Sequence, residues 1–226
     1  MTLPLFDLTH RRTHRLIASE HSEPALGEYY DDEDEAEVVF EIDAYTNKRL
    51  REENAAAPRP IGHISQLELV GNIPNAHIIN AAYSYTAPNG ARFNNNVRGA
   101  WYSAFDIETS IAEVSFHMWR IMQYAGLSEE CVTKDDWLAS FEGAFHDLRE
   151  DPKHEALHAD IDIGYPVGQR LAASLMNDNS IGLIYPSVRH ETGTNLVCFR
   201  PALVQNPQKG ATLTFTFDGS PTPTIT

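Results

Sequence analysis

The chain contains only two cysteines among its 226 residues, Cys131 and Cys198. They lie far apart and have no Cys or His neighbour at metal-ligand spacing, which excludes a disulfide framework and a structural zinc site built on them. Free thiols of this kind are typical of a reducing compartment. The sequence therefore predicts a cytoplasmic protein.

Long apolar runs are also missing. No segment approaches the roughly 20 consecutive apolar residues that a membrane span needs, and the N-terminus lacks the basic and apolar regions of a secretory signal. We therefore expect a soluble chain that is not exported and has no membrane partner.

Basic residues are scarce, since 17 Lys and Arg stand against 32 Asp and Glu and the formal net charge is −15. A protein that holds a nucleic-acid backbone needs a basic face that displaces counterions. The composition therefore argues against direct binding of DNA or RNA. Six of the seven residues 31–37 are acidic, and such dense like charge indicates a solvated loop or the first turn of a helix.

Glycine-rich phosphate-binding motifs and internal repeats do not occur in the sequence either. With 42% hydrophobic residues, the chain can nevertheless bury a core of its own. Strand and helix patterns follow one another in irregular order, which favours an α+β fold over a doubly wound sheet. We expect a single α+β domain with helices flanking the sheet.

Apolar periodicity, turn residues and caps predict the individual elements. Strands are predicted over residues 64–69, 76–85, 101–104, 181–185, 195–199 and 213–217. Helices are predicted over residues 106–124, 134–148 and 166–176, with Asp106 as the first N-cap and Pro166 in the last helix's first turn.

The predicted helix 106–124 has an unusual polar edge. A narrow polar line separates two apolar stripes and consists of Ser110, Glu113, His117 and Arg120. Such an edge faces either bulk water or a pocket.

Three chemically different side chains, Arg92, Tyr102 and Glu113, stand ten and eleven residues apart on a predicted turn, strand and helix. They can therefore converge on one cleft. An arginine fork binds phosphate or carboxylate, a tyrosine ring stacks on a flat heterocycle, and a carboxylate stabilises an oxocarbenium-like centre. The trio suits a phosphate-bearing substrate whose reaction develops positive charge.

Each of these residues also has an ordinary structural interpretation. Arg92 can be a surface arginine, and Tyr102 can be a core tyrosine. Glu113 can form a salt link with His117 or Arg120 on its own helix.

Ser187 and residues 154–158 are two further candidates for a functional role. Ser187 follows a predicted strand and either meets a ligand or caps a turn, but no Gly-x-Ser-x-Gly surrounds it as a hydrolase nucleophile requires. Residues 154–158 read His-Glu-Ala-Leu-His, which formally matches the zincin pattern. Pro152 and the acidic run at 160–162 crowd this motif, so a zinc peptidase is a minor alternative and we expect no metal.

The ordered set of motifs resembles the signature of the RES-domain toxins, a family named for its arginine, glutamate and serine. The motifs that carry the resemblance are residues 90–94, 101–104, 109–113 and 184–189, with residues 14–19 and 46–50 similar to entry segments of longer members. The resemblance extends over roughly residues 15–201. Its specificity lies in the order of the motifs rather than in any one of them.

The resemblance implies a fold similar to the ADP-ribosyltransferases of the diphtheria-toxin type, with NAD held in a cleft of a small split β-sheet. It divides the chain into an N-terminal extension (1–14), a RES domain (15–204), and a C-terminal strand with a loose tail (205–226). Family members are bacterial toxins that form a complex with an Xre-like antitoxin, which blocks the cleft. The same implication makes this chain half of a toxin–antitoxin hetero-oligomer.

The resemblance also implies roles for single residues. Glu113 would steady the ribosyl cation as nicotinamide leaves, Arg92 would bind a phosphate of NAD, and Tyr102 would stack on nicotinamide. Ser187 would hydrogen-bond the dinucleotide.

Arg15 or Arg49 would supply an additional arginine that contacts NAD. The sequence departs from many relatives at Phe93, where they have Trp, in the acidic segment 31–37, and in a long insert that contains residues 137–158. The insert affects the choice of target more than the chemistry.

The implied function is cleavage of the nicotinamide–ribose bond of NAD with transfer of ADP-ribose to a host protein such as phosphoribosyl-pyrophosphate synthetase. The alternative is an NAD glycohydrolase or phosphorylase that depletes NAD without a protein acceptor. An inactive binding module, whose polar helix edge only meets water or a partner, is the alternative from another class.

Overall fold

The computed structural model describes residues 3–22 and 64–226. In these ranges it contains seven strands and three α-helices. The strands are β1 (Leu5–Ala18), β2 (Trp101–Ala104), β3 (Glu129–Asp147), β4 (Gly182–Pro186), β5 (Thr194–Cys198), β6 (Gln205–Asp218) and β7 (Thr224–Ile225). The helices are α1 (Ala76–Ser84), α2 (Ile107–Ala125) and α3 (Ile161–Asn177).

The sheet is organised around the long strand β3. One edge of β3 pairs with β1, and its other edge pairs first with β6 and then, at the C-terminal end, with β4. Strand β4 pairs with β5, β5 with β2, and β2 returns to β1 through His14 and Ala104. Five strands therefore close a ring, and β6 and β7 extend from it. The prediction of one α+β domain is confirmed.

The two faces of β2, β4 and β5 carry different cores, because neighbouring residues of a strand point to opposite faces. Trp101 and Cys198 share one face with Trp137 of β3 and pack against α1. Val197 and Leu183 share the other face, which packs against α3. A third apolar cluster joins α2 to β6.

Helix α2 agrees with its prediction. The side chain of Asp106 accepts a hydrogen bond from the N–H of Thr109, and Gly126 ends the helix with φ 70°. Both ends are encoded by single residues, an N-cap acid and a glycine in the left-handed region.

The predicted helix 134–148 is wrong, because this segment forms most of β3. Trp137, Phe141 and Phe145 are all buried. Their spacing of four suits one face of a helix, but four is also a multiple of the strand period of two. Pairing with β1 and β6 on both edges selects the strand.

The predicted strand 76–85 is also wrong, since residues Ala76–Ser84 form α1. The buried residues of α1 are Ile78, Ile79, Ala82 and Tyr83, which is helical spacing. Within residues 64–69 the structure has a 3-10 turn, Gln66–Glu68, in place of the predicted strand. Helix α3 begins at Ile161, five residues before Pro166, because Asp160 caps it.

The C-terminal residues are tied to the sheet through β7, where Ile225 pairs with Phe215. The predicted loose tail therefore ends in a short strand. The domain boundaries at residues 15 and 204 stay predictions, and the acidic segment 31–37 lies outside the described residues. In the described ranges, no helix is both long and apolar enough to cross a membrane.

Candidate active site

The carboxylate of Glu113 lies between α2 and the β4–β5 hairpin. Its Oε1 accepts a hydrogen bond from Oγ of Ser187 at 2.7 Å and another from Nδ2 of Asn195 at 2.7 Å. In the described part of the chain Glu113 forms no ion pair, so the salt link with His117 or Arg120 is not formed. The carboxylate is held at one oxygen only.

Ser187 has its hydroxyl fixed by the loop that follows β4. Its Oγ accepts the backbone N–H of Arg189 at 3.1 Å and that of His190 at 3.0 Å. A serine hydroxyl has two acceptor lone pairs and one proton, so the proton is left to donate to Glu113. Ser187 therefore both caps a turn and orients the carboxylate.

Arg92 is buried, with 8% of its surface exposed. This burial excludes the interpretation as a surface arginine. Its Nη1 donates to the backbone oxygens of Ala156 at 2.6 Å and His158 at 3.1 Å, and its guanidinium lies 5.2 Å from the ring centre of Tyr165. These contacts hold the guanidinium against residues 156–158, which precede α3.

The turn that carries Arg92 depends on Gly90, which has φ 68°. A Cβ atom on Gly90 would lie 2.2 Å from the backbone oxygen of Asn94. Only glycine fits both the left-handed conformation and this close approach.

Tyr102 closes the same turn. Its hydroxyl accepts the N–H of Phe93 at 2.9 Å and donates to Oδ1 of Asn94 at 2.9 Å. Burial raises the pKa of Tyr102, so the phenol keeps its proton at neutral pH. The hydroxyl is thus engaged in shaping the Arg92 turn.

Tyr185 of β4 lies within electrostatic range of Arg92, Tyr102 and Glu113. Burial raises the pKa of Tyr185 well above its usual value, the charge of Glu113 adds to the rise, and the charge of Arg92 opposes it. The ring of Tyr185 lies 4.8 Å from that of Phe93. The structure therefore brings the three predicted residues together on the α3 side of the sheet.

A family model for the RES domain matches residues 69–218. The chain belongs to the RES-domain family. The match contains Arg92, Tyr102, Glu113 and Ser187. It confirms the resemblance that the sequence motifs indicated.

A solved structure similar to this chain is the M. tuberculosis MbcT-MbcA toxin–antitoxin complex. The similarity covers 67% of this chain and 78% of that chain, with 17% identity and a TM-score of 0.40. No curated protein matches the chain.

Arg15 of this RES-domain chain lies on the other face of the sheet. It pairs in register with Trp137, its Nη1 donates to the backbone oxygen of Tyr102 at 3.0 Å, and its guanidinium is 4.9 Å from the ring centre of Trp101. Burial lowers the pKa of Arg15 to about 10. Arg49 lies outside the described residues.

Sequence reasoning missed Asn195, Arg189 and Tyr165 as members of the site. Asn195 and Glu113 are 82 positions apart, and no local signal links them. The signal for Arg189 was its place in the Ser187 motif, two residues after the serine.

His117 and Arg120 continue the polar edge of α2 beyond Glu113. Nε2 of His117 lies 3.5 Å from the hydroxyl of Tyr165. Burial, together with the charges of Arg120, Arg189 and Arg92, lowers the pKa of His117 to about 4. His117 is therefore neutral at pH 7, and the polar edge of α2 lines the site.

The zincin-like segment does not form a long helix. Residues Glu155–Leu157 are a 3-10 turn, in which Nδ1 of His154 accepts the N–H of Ala156 and Nδ1 of His158 accepts the N–H of Asp160. Over residues 3–22 and 64–226, no three or more His, Cys, Asp or Glu side chains are grouped to hold a metal ion.

A small pocket lies on the outer side of the Arg92 turn, between the backbone near Val97 and α3. Phe93 and Gln169 contribute to its lining, whereas Glu113 does not. This pocket is therefore separate from the carboxylate of Glu113.

Proposed function

We propose that this RES-domain chain is the toxin of a bacterial toxin–antitoxin pair and that it cleaves the nicotinamide–ribose bond of NAD. The observation that carries the proposal is the carboxylate of Glu113. Its Oε1 is held by Ser187 and Asn195, while Oε2 has no hydrogen-bond partner among the described residues. A positioned carboxylate with one free oxygen suits a reaction that generates a cation.

Breaking the bond leaves the electron pair on the nicotinamide nitrogen, which becomes neutral, and leaves positive charge on the ribose carbon. A fixed carboxylate stabilises that charge in the transition state without having to reorganise. The acceptor oxygen or nitrogen then bonds to the ribose carbon and loses its proton.

The arginines of the site are suited to bind the phosphates of NAD. Arg92 and Arg189 both influence the pKa of Tyr165, so their charges lie close to one ring on α3. Guanidinium groups favour the phosphates of a dinucleotide. In this proposal Tyr102 supports nicotinamide from β2, and Arg15 and Arg49 are the remaining candidates for contact with NAD.

For the acceptor, we propose a host protein such as phosphoribosyl-pyrophosphate synthetase, as the family resemblance implies. Water or inorganic phosphate at the same position would give NAD breakdown instead. An Xre-like antitoxin that covers the site is the proposed partner, and the proposed complex is a hetero-oligomer in the cytoplasm.

The first test measures nicotinamide released from NAD by the purified chain. We expect Glu113→Gln to lower the rate by about 100-fold or more, because a preorganised charge is lost. Glu108→Gln is the matched control, since Glu108 is an exposed acid in the first turn of the same helix. Equal rates for wild type and Glu113→Gln would overturn the proposal, and would favour a binding module.

The second test identifies the acceptor. The chain is incubated with NAD labelled in its ADP-ribose part and with cell extract or purified phosphoribosyl-pyrophosphate synthetase. Label on a protein band supports transfer, whereas free ADP-ribose or its phosphate shows NAD breakdown and overturns the proposed protein acceptor. Growth of cells that express wild type or Glu113→Gln, with intracellular NAD followed in parallel, tests the role as a toxin.

A further inference from the structure

Arg120 differs from Arg92 and Arg189 in having buried guanidinium nitrogens without a partner among the described residues. Its Nε and Nη1 are buried and have no hydrogen-bond partner within residues 3–22 and 64–226. By contrast, Nη1 of Arg92 is bound to Ala156, and Nη2 of Arg189 donates to the backbone oxygen of Ala159 at 2.6 Å. Buried donors without partners are costly and rare in native structures.

The position of Arg120 places it on the same edge of α2 as Glu113. Seven residues separate them, which is about two helical turns, or roughly 10 Å along the axis. The ring of Phe116, one turn before Arg120, lies 3.3 Å below the guanidinium of Arg189. Arg120 and Arg189 therefore approach the site from two different elements.

The charges around this edge are unbalanced. Burial raises the pKa of Tyr165, the charges of Arg92, Arg120 and Arg189 oppose the rise, and the charge of Glu113 adds to it. The three cations repel one another in a partly buried region, and one anion is too little to neutralise them. The excess is notable in a chain whose net charge is −15, because acids are plentiful elsewhere.

We propose that Arg120 is the anchor of a phosphate-binding subsite, in which its Nε and Nη1 donate to a phosphate group and Arg189 and Arg92 supply further positive charge. The planar fork of an arginine matches two phosphate oxygens. The inference deepens the proposed function on which it rests, because the phosphate belongs either to the diphosphate of NAD or to inorganic phosphate that acts as acceptor.

The subsite has a consequence for stability that a structural role would not have. An arginine whose buried nitrogens have no partner until an anion binds destabilises the ligand-free protein. We therefore expect Arg120→Met to unfold at the same or a higher temperature than wild type without ligand. A structural arginine would show the opposite, a lower unfolding temperature in Arg120→Met.

The direct test is calorimetric titration of ADP-ribose, and separately of inorganic phosphate, into wild type and variants at low salt. We expect wild type to bind at least one of the two, and Arg120→Met to bind it about 10- to 100-fold more weakly, as expected for loss of charge-assisted hydrogen bonds. Arg120→Lys keeps the charge but lacks the fork and should lie between them. Arg170→Met, at an exposed arginine of α3, is the control and should bind as wild type does.

Kinetics then separate the two sources of phosphate. If the subsite holds the diphosphate, Arg120→Met raises the KM for NAD in phosphate-free buffer. If it holds the acceptor, Arg120→Met leaves that KM unchanged and loses the stimulation of nicotinamide release by inorganic phosphate. Either result supports the subsite.

Equal binding and kinetics in wild type and Arg120→Met, or no binding of either ligand by wild type, overturn the subsite. Failure of wild type to release nicotinamide overturns the proposed function but leaves the subsite standing, provided that Arg120-dependent binding is observed. Nicotinamide release that is unaffected by Arg120→Met both with and without inorganic phosphate, together with unchanged binding, leaves the function standing without the subsite.

Discussion

Ser187 donates its hydroxyl proton to Glu113 across 2.7 Å, and the two residues belong to elements 74 positions apart in the sequence. Because two backbone N–H groups occupy the lone pairs of Oγ, the direction of this hydrogen bond is fixed by the loop. In the proposed reaction, the serine therefore acts through the carboxylate, as a positioning residue.

Ser187→Ala should accordingly lower the kcat of nicotinamide release about 10- to 100-fold, since a hydrogen bond to a charged group contributes about 1.5–3 kcal/mol. The KM for NAD should change little. Ser187→Thr, which keeps the hydroxyl, should recover much of the rate. A raised KM with an unchanged kcat would instead mean that Ser187 binds the dinucleotide directly.

Tyr102→Phe should destabilise the protein, because the hydroxyl accepts the N–H of Phe93 and donates to Asn94. Removal leaves a buried N–H without a partner, at a cost of about 1–3 kcal/mol. The free energy of unfolding in urea measures the loss. Tyr124→Phe is the control, because Tyr124 is 84% exposed, and its stability should match wild type within about 0.5 kcal/mol.

One helix that the sequence predicts correctly has both of its ends marked locally. Helix α2 has its cap at Asp106 and its glycine at 126, and neither depends on distant residues. The sequence predicts a helix in place of strand β3 because the apolar spacing of four fits both periods. Its structure is decided by pairing with β1 and β6, which lie far away in the sequence.

The residues of the site divide in the same way, into those with a local sequence signal and those placed by distant strand pairing. Ordered motifs pointed to Arg92, Tyr102, Glu113 and Ser187, and all four lie on one side of the sheet. Asn195 reaches Glu113 only because β5 pairs with β2 and β4. The hydrogen bonds of the Tyr102 hydroxyl were also beyond sequence reasoning, since its partners depend on how the Arg92 turn folds back.

The pH dependence of stability should report on His117, whose pKa burial lowers to about 4. The unfolded chain binds a proton on this residue near pH 6.5, the ordinary value for His. Between pH 6.5 and about 4 the unfolded state therefore binds more protons, so the stabilisation is complete above pH 6.5 and is lost as the pH falls. The loss is at most about 3 kcal/mol.

Urea unfolding of His117→Gln from pH 7 to 4 checks this expectation. The variant should lose less stability over that range than wild type, whereas His10→Gln, at an exposed histidine, should follow wild type.

Asp135 affects stability in a different pH range. Burial opposes its ionisation, but hydrogen bonds from Ser22, Thr212 and Lys209 lower its pKa to about 2, so its contribution is lost only between about pH 4 and 2.

The last prediction concerns the packing of α3 against the Arg92 turn. A Cβ atom on Gly168 would lie 2.2 Å from the backbone oxygen of Arg92. In an open helix, Gly→Ala stabilises by about 0.5–1 kcal/mol. Here the clash involves backbone on both sides and cannot be relieved by a rotamer change, so Gly168→Ala should lower the free energy of unfolding by at least about 2 kcal/mol.

Because the same displacement moves Arg92, nicotinamide release should fall together with stability in Gly168→Ala. Gly71→Ala is the matched control, since a Cβ at Gly71 has nothing within 4 Å. Its stability and activity should match wild type. If Gly168→Ala is as stable and active as Gly71→Ala, α3 does not hold the Arg92 turn in place, and Arg92 must be positioned by its hydrogen bonds to Ala156 and His158 alone.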